Sequence, residues 1–146
     1  MMVKVGLITG CGKGIGLAIC KKFLKEKNTF IIGLSRSNNA EIKLLVNQYP
    51  DNFIFHEANI KDLKTINSIL KKVYEEYSVI DFAICNAGVR SRSSIQDSDI
   101  ELYRSIFEVN AIANINISKL LIDANLKIGK KLNILLISSI VGSRGF

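Results

Sequence analysis

The chain has 146 residues, 48% hydrophobic and 23% charged, with 20 basic against 13 acidic side chains and a net charge of +7; this is the size of one domain that buries roughly 70% of its unfolded surface. No run approaches the ~20 apolar residues of a membrane span, and "MMVKVGLITG" is broken too soon by Lys4 and glycine to read as a secretory leader, so a soluble, cytoplasmic domain with no membrane partner is expected. Cys11, Cys20 and Cys85 form no Cys-x-x-Cys pair and His56 is the single histidine, which supports neither a disulfide framework nor a metal site, while lysines spread over several helical stretches without interleaved aromatics read as solvated faces and not as a nucleic-acid surface.

Residues 3–8 are an apolar, β-rich run, and a glycine-rich turn follows. In residues 14–27, Ile15, Ala18, Ile19 and Phe23 recur at helical spacing while Lys21, Lys25 and Lys27 fall largely elsewhere. Residues 29–34 are a second strand, and residues 40–49 a helix closed by Pro50, the only proline. Residues 53–56 open a third strand. Residues 62–77 predict a helix capped by Asp62, with Leu63, Ile66, Ile69, Leu70 and Val73 as its inner face. Residues 80–85 are strand four; after the Asp97-Ser98-Asp99 cap signal, residues 100–127 are helical with room for a break, and residues 132–138 are strand five. Near-continuous apolar strands alternating with helices argue an α/β fold, a parallel sheet covered on both faces, with ligands at the carboxyl ends of its strands.

The loop "TGCGKGIG", residues 9–16, carries four glycines, Gly10, Gly12, Gly14 and Gly16, between a strand and a helix. Glycines there permit positive φ and let backbone amides and a helix N-terminus close on a phosphate; an ordinary tight turn would not need four. The loop is no Walker A motif, because Lys13 is followed by Gly14, and it misses the G-x-G-x-x-G spacing.

It does match Thr-Gly-x-x-x-Gly-Ile-Gly, and with "CNAG" at residues 85–88, "VN" at 109–110 and "ISS" at 137–139 in the same order the whole chain resembles the short-chain dehydrogenase/reductase family. The resemblance implies a Rossmann-type doubly wound parallel sheet of five strands in the order 3-2-1-4-5, with the C-terminal part of the family fold absent. It implies that Gly10, Gly14, Gly16 and the intervening Ile15 line the pyrophosphate of a nicotinamide dinucleotide, and that Asn86, Ala87 and Gly88 wall its adenine-ribose side and tie strand four to the loop near Thr9. Asn59 and Ile60 stand where the family has an aspartate then valine or leucine against the adenine; the Asn59 carbonyl can still accept from the adenine amino group.

The end of strand two separates the cofactors. An NAD enzyme has a carboxylate there for the ribose hydroxyls, whereas this chain has Ser35 followed by Arg36, a fork of donors suited to phosphate. Lys13, beside Gly12 inside the loop, adds a second cation, so NADP(H) is expected over NAD(H). The competing reading is two surface cations that happen to flank a turn.

For catalysis the resemblance implies Asn110 on the long helix and Ser139 at the end of strand five, Ser138 being the less favoured neighbour. The serine polarises a substrate carbonyl, and a Tyr-x-x-x-Lys pair moves the proton, the lysine favouring tyrosinate. None of the four tyrosines qualifies: Tyr49, Tyr74, Tyr77 and Tyr103 are followed four positions later by Phe53, Ser78, Asp81 and Phe107. Residues 1–146 therefore read as a dinucleotide-binding domain truncated before the Tyr/Lys segment, and the apolar, charge-free edge of strand five implies either a longer parent, the preferred reading, or another chain that covers that edge. The expected function is NADP(H)-dependent hydride transfer with a small alcohol or carbonyl substrate, in a homo-oligomer paired through the long helix. The alternative is a catalytically inactive dinucleotide-binding module. Arg90 and Arg92 near the expected mouth do not identify the substrate.

Overall fold

The apolar runs at residues 4–9, 29–35 and 82–85 become strands because both of their faces are covered, whereas Leu135 and Leu136 of the last run are more than half exposed. In the computed structural model, which describes residues 3–94, 96–97 and 99–139, the strands are β1 (Lys4–Thr9), β2 (Thr29–Ser35), β3 (Phe53–Glu57), β4 (Phe82–Cys85) and β5 (Asn133–Leu136). All neighbouring pairs are parallel, in the order β3-β2-β1-β4-β5, the doubly wound arrangement implied by the sequence. The helices are α1 (Gly14–Phe23), α2 (Ala40–Gln48), α3 (Leu63–Tyr77), α4 (Ile100–Phe107) and α5 (Ala113–Lys127), with a π-helical segment at Glu108–Ile112 between the last two.

Strand alternation divides the core into two layers. Val5, Leu7, Ile32 and Leu34 pack with Ile66, Leu70 and Val73 of α3 and Ala113, Ile117 and Leu121 of α5. Ile8 and Ile31 point the other way, onto Cys20, Leu24, Ile42 and Leu45. Leu7, Ile8, Ile31, Ile32 and Ile117 are fully buried, each such side chain stabilising the fold by about 1.5–3 kcal/mol. No helix among the described residues is long and apolar enough to cross a membrane.

Several boundaries differ from those the sequence suggests, for local reasons. α1 ends at Phe23, because Lys25 and Glu26 already donate three residues back and Asn28 takes φ 63°. β4 begins at Phe82 and not at residue 80: the Asp81 carboxylate accepts from the Val5 amide at 2.8 Å, so a side chain replaces a ladder bond. Leu63 is 39% exposed instead of facing inward, since it is the first residue after the Asp62 cap and precedes the turn that meets the sheet. The break expected in the long helix is the π segment. Asn125, 2% exposed, closes the far end of the domain, donating to the Ile80 and Lys131 carbonyls and accepting from Tyr74.

Candidate functional site

Helix N-termini leave several amide donors without intrahelical partners; α5 continues from the π segment, and of the four helices that start from a loop α1 is the one whose first residue is not capped by a side chain. α2, α3 and α4 begin with Asn39, Asp62 and Asp99, whose side chains accept from Ile42, Thr65 and Leu102 amides. α1 begins with Lys13, which makes no side-chain cap, and its first turn holds no acid. A cation at the positive end of a helix dipole is unfavourable. The arrangement fits an anion that is gripped by the Gly14–Gly16 turn and neutralised by Lys13.

The preceding loop is shaped for such an approach. Gly10 has φ 67° and Gly14 φ 55°, a region costing an L-residue about 1–2 kcal/mol. At Gly16 a Cβ would sit 2.3 Å from the Gly10 carbonyl oxygen and 2.5 Å from Asn86 Nδ2, so the helix can lie against the loop only with hydrogen there. The buried Thr9 hydroxyl accepts from the Asn86 and Ala87 amides, both at 3.0 Å, and Asn86 Nδ2 donates to the carbonyls of Thr9 and Gly10 at 3.1 and 3.2 Å. The glycine loop and the segment after β4 thus form one hydrogen-bonded unit. Ile15 is 62% exposed on its outer side.

The β2 end is stitched to the same loop. Gly10 and Cys11 both donate to the Leu34 carbonyl, and Ser35, half-buried, donates to the Ser37 carbonyl. Arg36 and Lys13 are exposed. The Ala58 amide donates to Ser35 O at 2.8 Å, which sets the turn carrying Asn59 and Ile60 alongside. Asn59 is exposed, its Oδ1 accepting from Lys61 N at 3.2 Å; Ile60 is 4% exposed and its side chain belongs to the core.

Asn110 lies in the π segment with its carboxamide fully engaged: Oδ1 accepts from Val89 N at 2.7 Å and Nδ2 donates to Val89 O at 2.8 Å. Its side chain anchors the loop after β4, beside Gly88. One turn on, Asn114 donates to the carbonyls of Ala87, Val109 and Asn110, supplying a donor where the widened helix would leave carbonyls short of one. Sequence patterning offers no sign of that role. Ser139 stands three residues past β5, whose end is set by the Ile137 amide donating to the Cys85 carbonyl at 3.0 Å. It therefore lies on the side of β4 opposite the glycine loop, at the same carboxyl edge of the sheet.

Burial governs the cysteines, two of the tyrosines and the histidine. Cys11, Cys20 and Cys85 are buried, free thiols. A hydrogen bond with Cys11 and then burial push Cys20 far above the ordinary thiol range, and burial raises Cys85. Burial pushes Tyr74 and Tyr77 up to about 12, opposite to what a tyrosine base requires. His56 is held below its usual pKa by burial and by Lys72.

The sequence profile described as short chain dehydrogenase matches residues 4–146. The chain belongs to the short-chain dehydrogenase family. It is 33% identical over 147 aligned positions to the 3-oxoacyl-acyl-carrier-protein reductase FabG of Rickettsia typhi, covering 97% of this chain and 56% of that protein. The chain thus spans about half the length of the curated relatives it matches. Among solved structures it resembles ElxO with NADP bound, at 27% identity and TM-score 0.85 over 99% of this chain and 59% of that one. It also resembles the carveol dehydrogenase of Mycobacterium avium in complex with NAD, at 19% identity and TM-score 0.85 over 100% of this chain and 58% of that one, a likeness of fold.

Proposed function

We propose that this chain is the dinucleotide-binding part of an oxidoreductase that uses NADP(H) in preference to NAD(H) and acts on a small alcohol or carbonyl compound. The observation that carries the cofactor assignment is the end of β2, where Ser35 and the exposed Arg36 stand in place of a carboxylate and Lys13 caps α1 without a side-chain bond. A carboxylate at that position would repel a 2′-phosphate; a guanidinium pairs with it through parallel donors. Structural neighbours with either cofactor exist, so the preference is read from the side chains of this chain.

A nicotinamide dinucleotide, when bound, would supply or take up the hydride. The Gly14–Gly16 amides hold the diphosphate, Thr9 and Asn86 fix the loop that does so, and Asn110 braces the Val89 backbone at the mouth. Ser139 donates a hydrogen bond to the substrate oxygen as charge develops there. Proton transfer falls to the Tyr-x-x-x-Lys pair of the resemblance, which we assign to a further segment of the whole protein. The same reading has the protein pairing with a second copy through the outer face of α4 and α5, where Ile100, Phe107, Ile115 and Leu126 are 57–72% exposed.

Arg36→Ala is expected to weaken NADPH binding by about 10–100-fold, the worth of a charge-assisted pair, and to leave NADH within about threefold. Nicotinamide fluorescence titrations check this. Equal loss for both nucleotides would remove the role given to Arg36.

A further inference from the structure

The part of the site that contacts an adenosine 2′-phosphate and the part that contacts the diphosphate are on different loops, and one side chain joins them. Asn39 Nδ2 donates to the Gly12 carbonyl at 2.7 Å, while its Oδ1 accepts from the Ile42 amide at 3.0 Å as the cap of α2. Gly12 is itself a packing point: a Cβ there would meet Ser35 Oγ at 2.9 Å and Asn39 Nδ2 at 3.5 Å. Its carbonyl is therefore held by the loop between β2 and α2. Lys13 follows Gly12 directly, and Arg36 lies three residues before Asn39.

We infer that Asn39 is a positioning residue for nucleotide selectivity: by clamping Gly12 it fixes Lys13 and Arg36 relative to each other, so that both cations are held for the 2′-phosphate that NADP(H) has and NAD(H) lacks. The inference rests on the cofactor reading above and deepens it. A simple helix cap would need only the Oδ1 bond. The Nδ2 bond to the neighbouring loop does nothing for α2, and it couples the two phosphate-contacting segments.

Serine is nearly as good a cap as asparagine but is too short to reach the Gly12 carbonyl, so Asn39→Ser separates the two bonds. It should keep the Tm of the parent chain within a few degrees, weaken NADPH about tenfold and weaken NADH less than about threefold. In an Arg36→Ala background the same change should cost NADPH less than about threefold, because the partner it positions is gone. Asn39→Asp keeps the cap, loses the donor and places a carboxylate beside the phosphate subsite, so it should reverse the preference toward NADH. These titrations use the 146-residue chain. Asn39→Ser with unchanged NADPH binding, or with equal losses for both nucleotides, overturns the inference while leaving the cofactor reading standing. A parent chain that binds neither nucleotide overturns both.

Discussion

Gly16→Val is expected to abolish dinucleotide binding, weakening NADPH by roughly 100-fold or more as the α1 amides are pushed off the phosphate. The atoms in the way are the Gly10 carbonyl oxygen and Asn86 Nδ2, 2.3 and 2.5 Å from the new Cβ. The first is backbone and the second is held by two hydrogen bonds, so neither can swing aside. Overpacking of this kind costs about 2–3 kcal/mol, or a Tm lowered by roughly 6–12 °C for a chain of this size. Gly14→Ala is the control. Nothing lies within 4 Å of its Cβ, and only the φ of 55° opposes it, so its stability loss should be about 1 kcal/mol. Thermal unfolding and NADPH titration of both variants check the contrast, and a Gly16→Val protein with parental affinity would mean that the loop does not hold the phosphate.

Thr9→Val should give the second large effect, this time on stability. Valine fills the same space but removes the acceptor shared by the Asn86 and Ala87 amides, at a position with no exposure. Two buried donors left unpaired cost about 2–4 kcal/mol together. Thr9→Ser keeps the hydroxyl and should recover most of that. Urea unfolding measures the difference, and equal stability of the valine and serine variants would show that the hydroxyl does not tie β1 to β4.

These two positions also show what a sequence can disclose. The glycine spacing is visible in the string because it answers to backbone sterics, and the inner strands are visible because both faces of a parallel sheet require apolar side chains. Thr9 stands out only as part of a motif. The Asn39 clamp is harder to foresee: asparagine before a helix signals the Oδ1 cap, but the Nδ2 bond to Gly12 depends on how two loops meet. The π character of the break in the long helix is equally hidden, since Asn114 acts on the Val109 and Asn110 carbonyls, displaced by a change in hydrogen-bond register that the side-chain pattern does not encode. Leu63 misleads for a related reason. Helical spacing places it on the inner face, and its place in the first turn leaves it outside.

Ser35 and Arg36 are legible in the sequence because the chemistry of a strand end is a local property, and the Arg36 guanidinium does stand exposed there. Affinity should follow it directly. The most direct measurement is calorimetric titration of the 146-residue chain with NADPH and NADH under one buffer and salt condition, since exposed cations are screened. The account predicts saturable binding of both, with NADPH tighter by about tenfold or more. NADH binding as tight as or tighter than NADPH, or no heat from either, would contradict it.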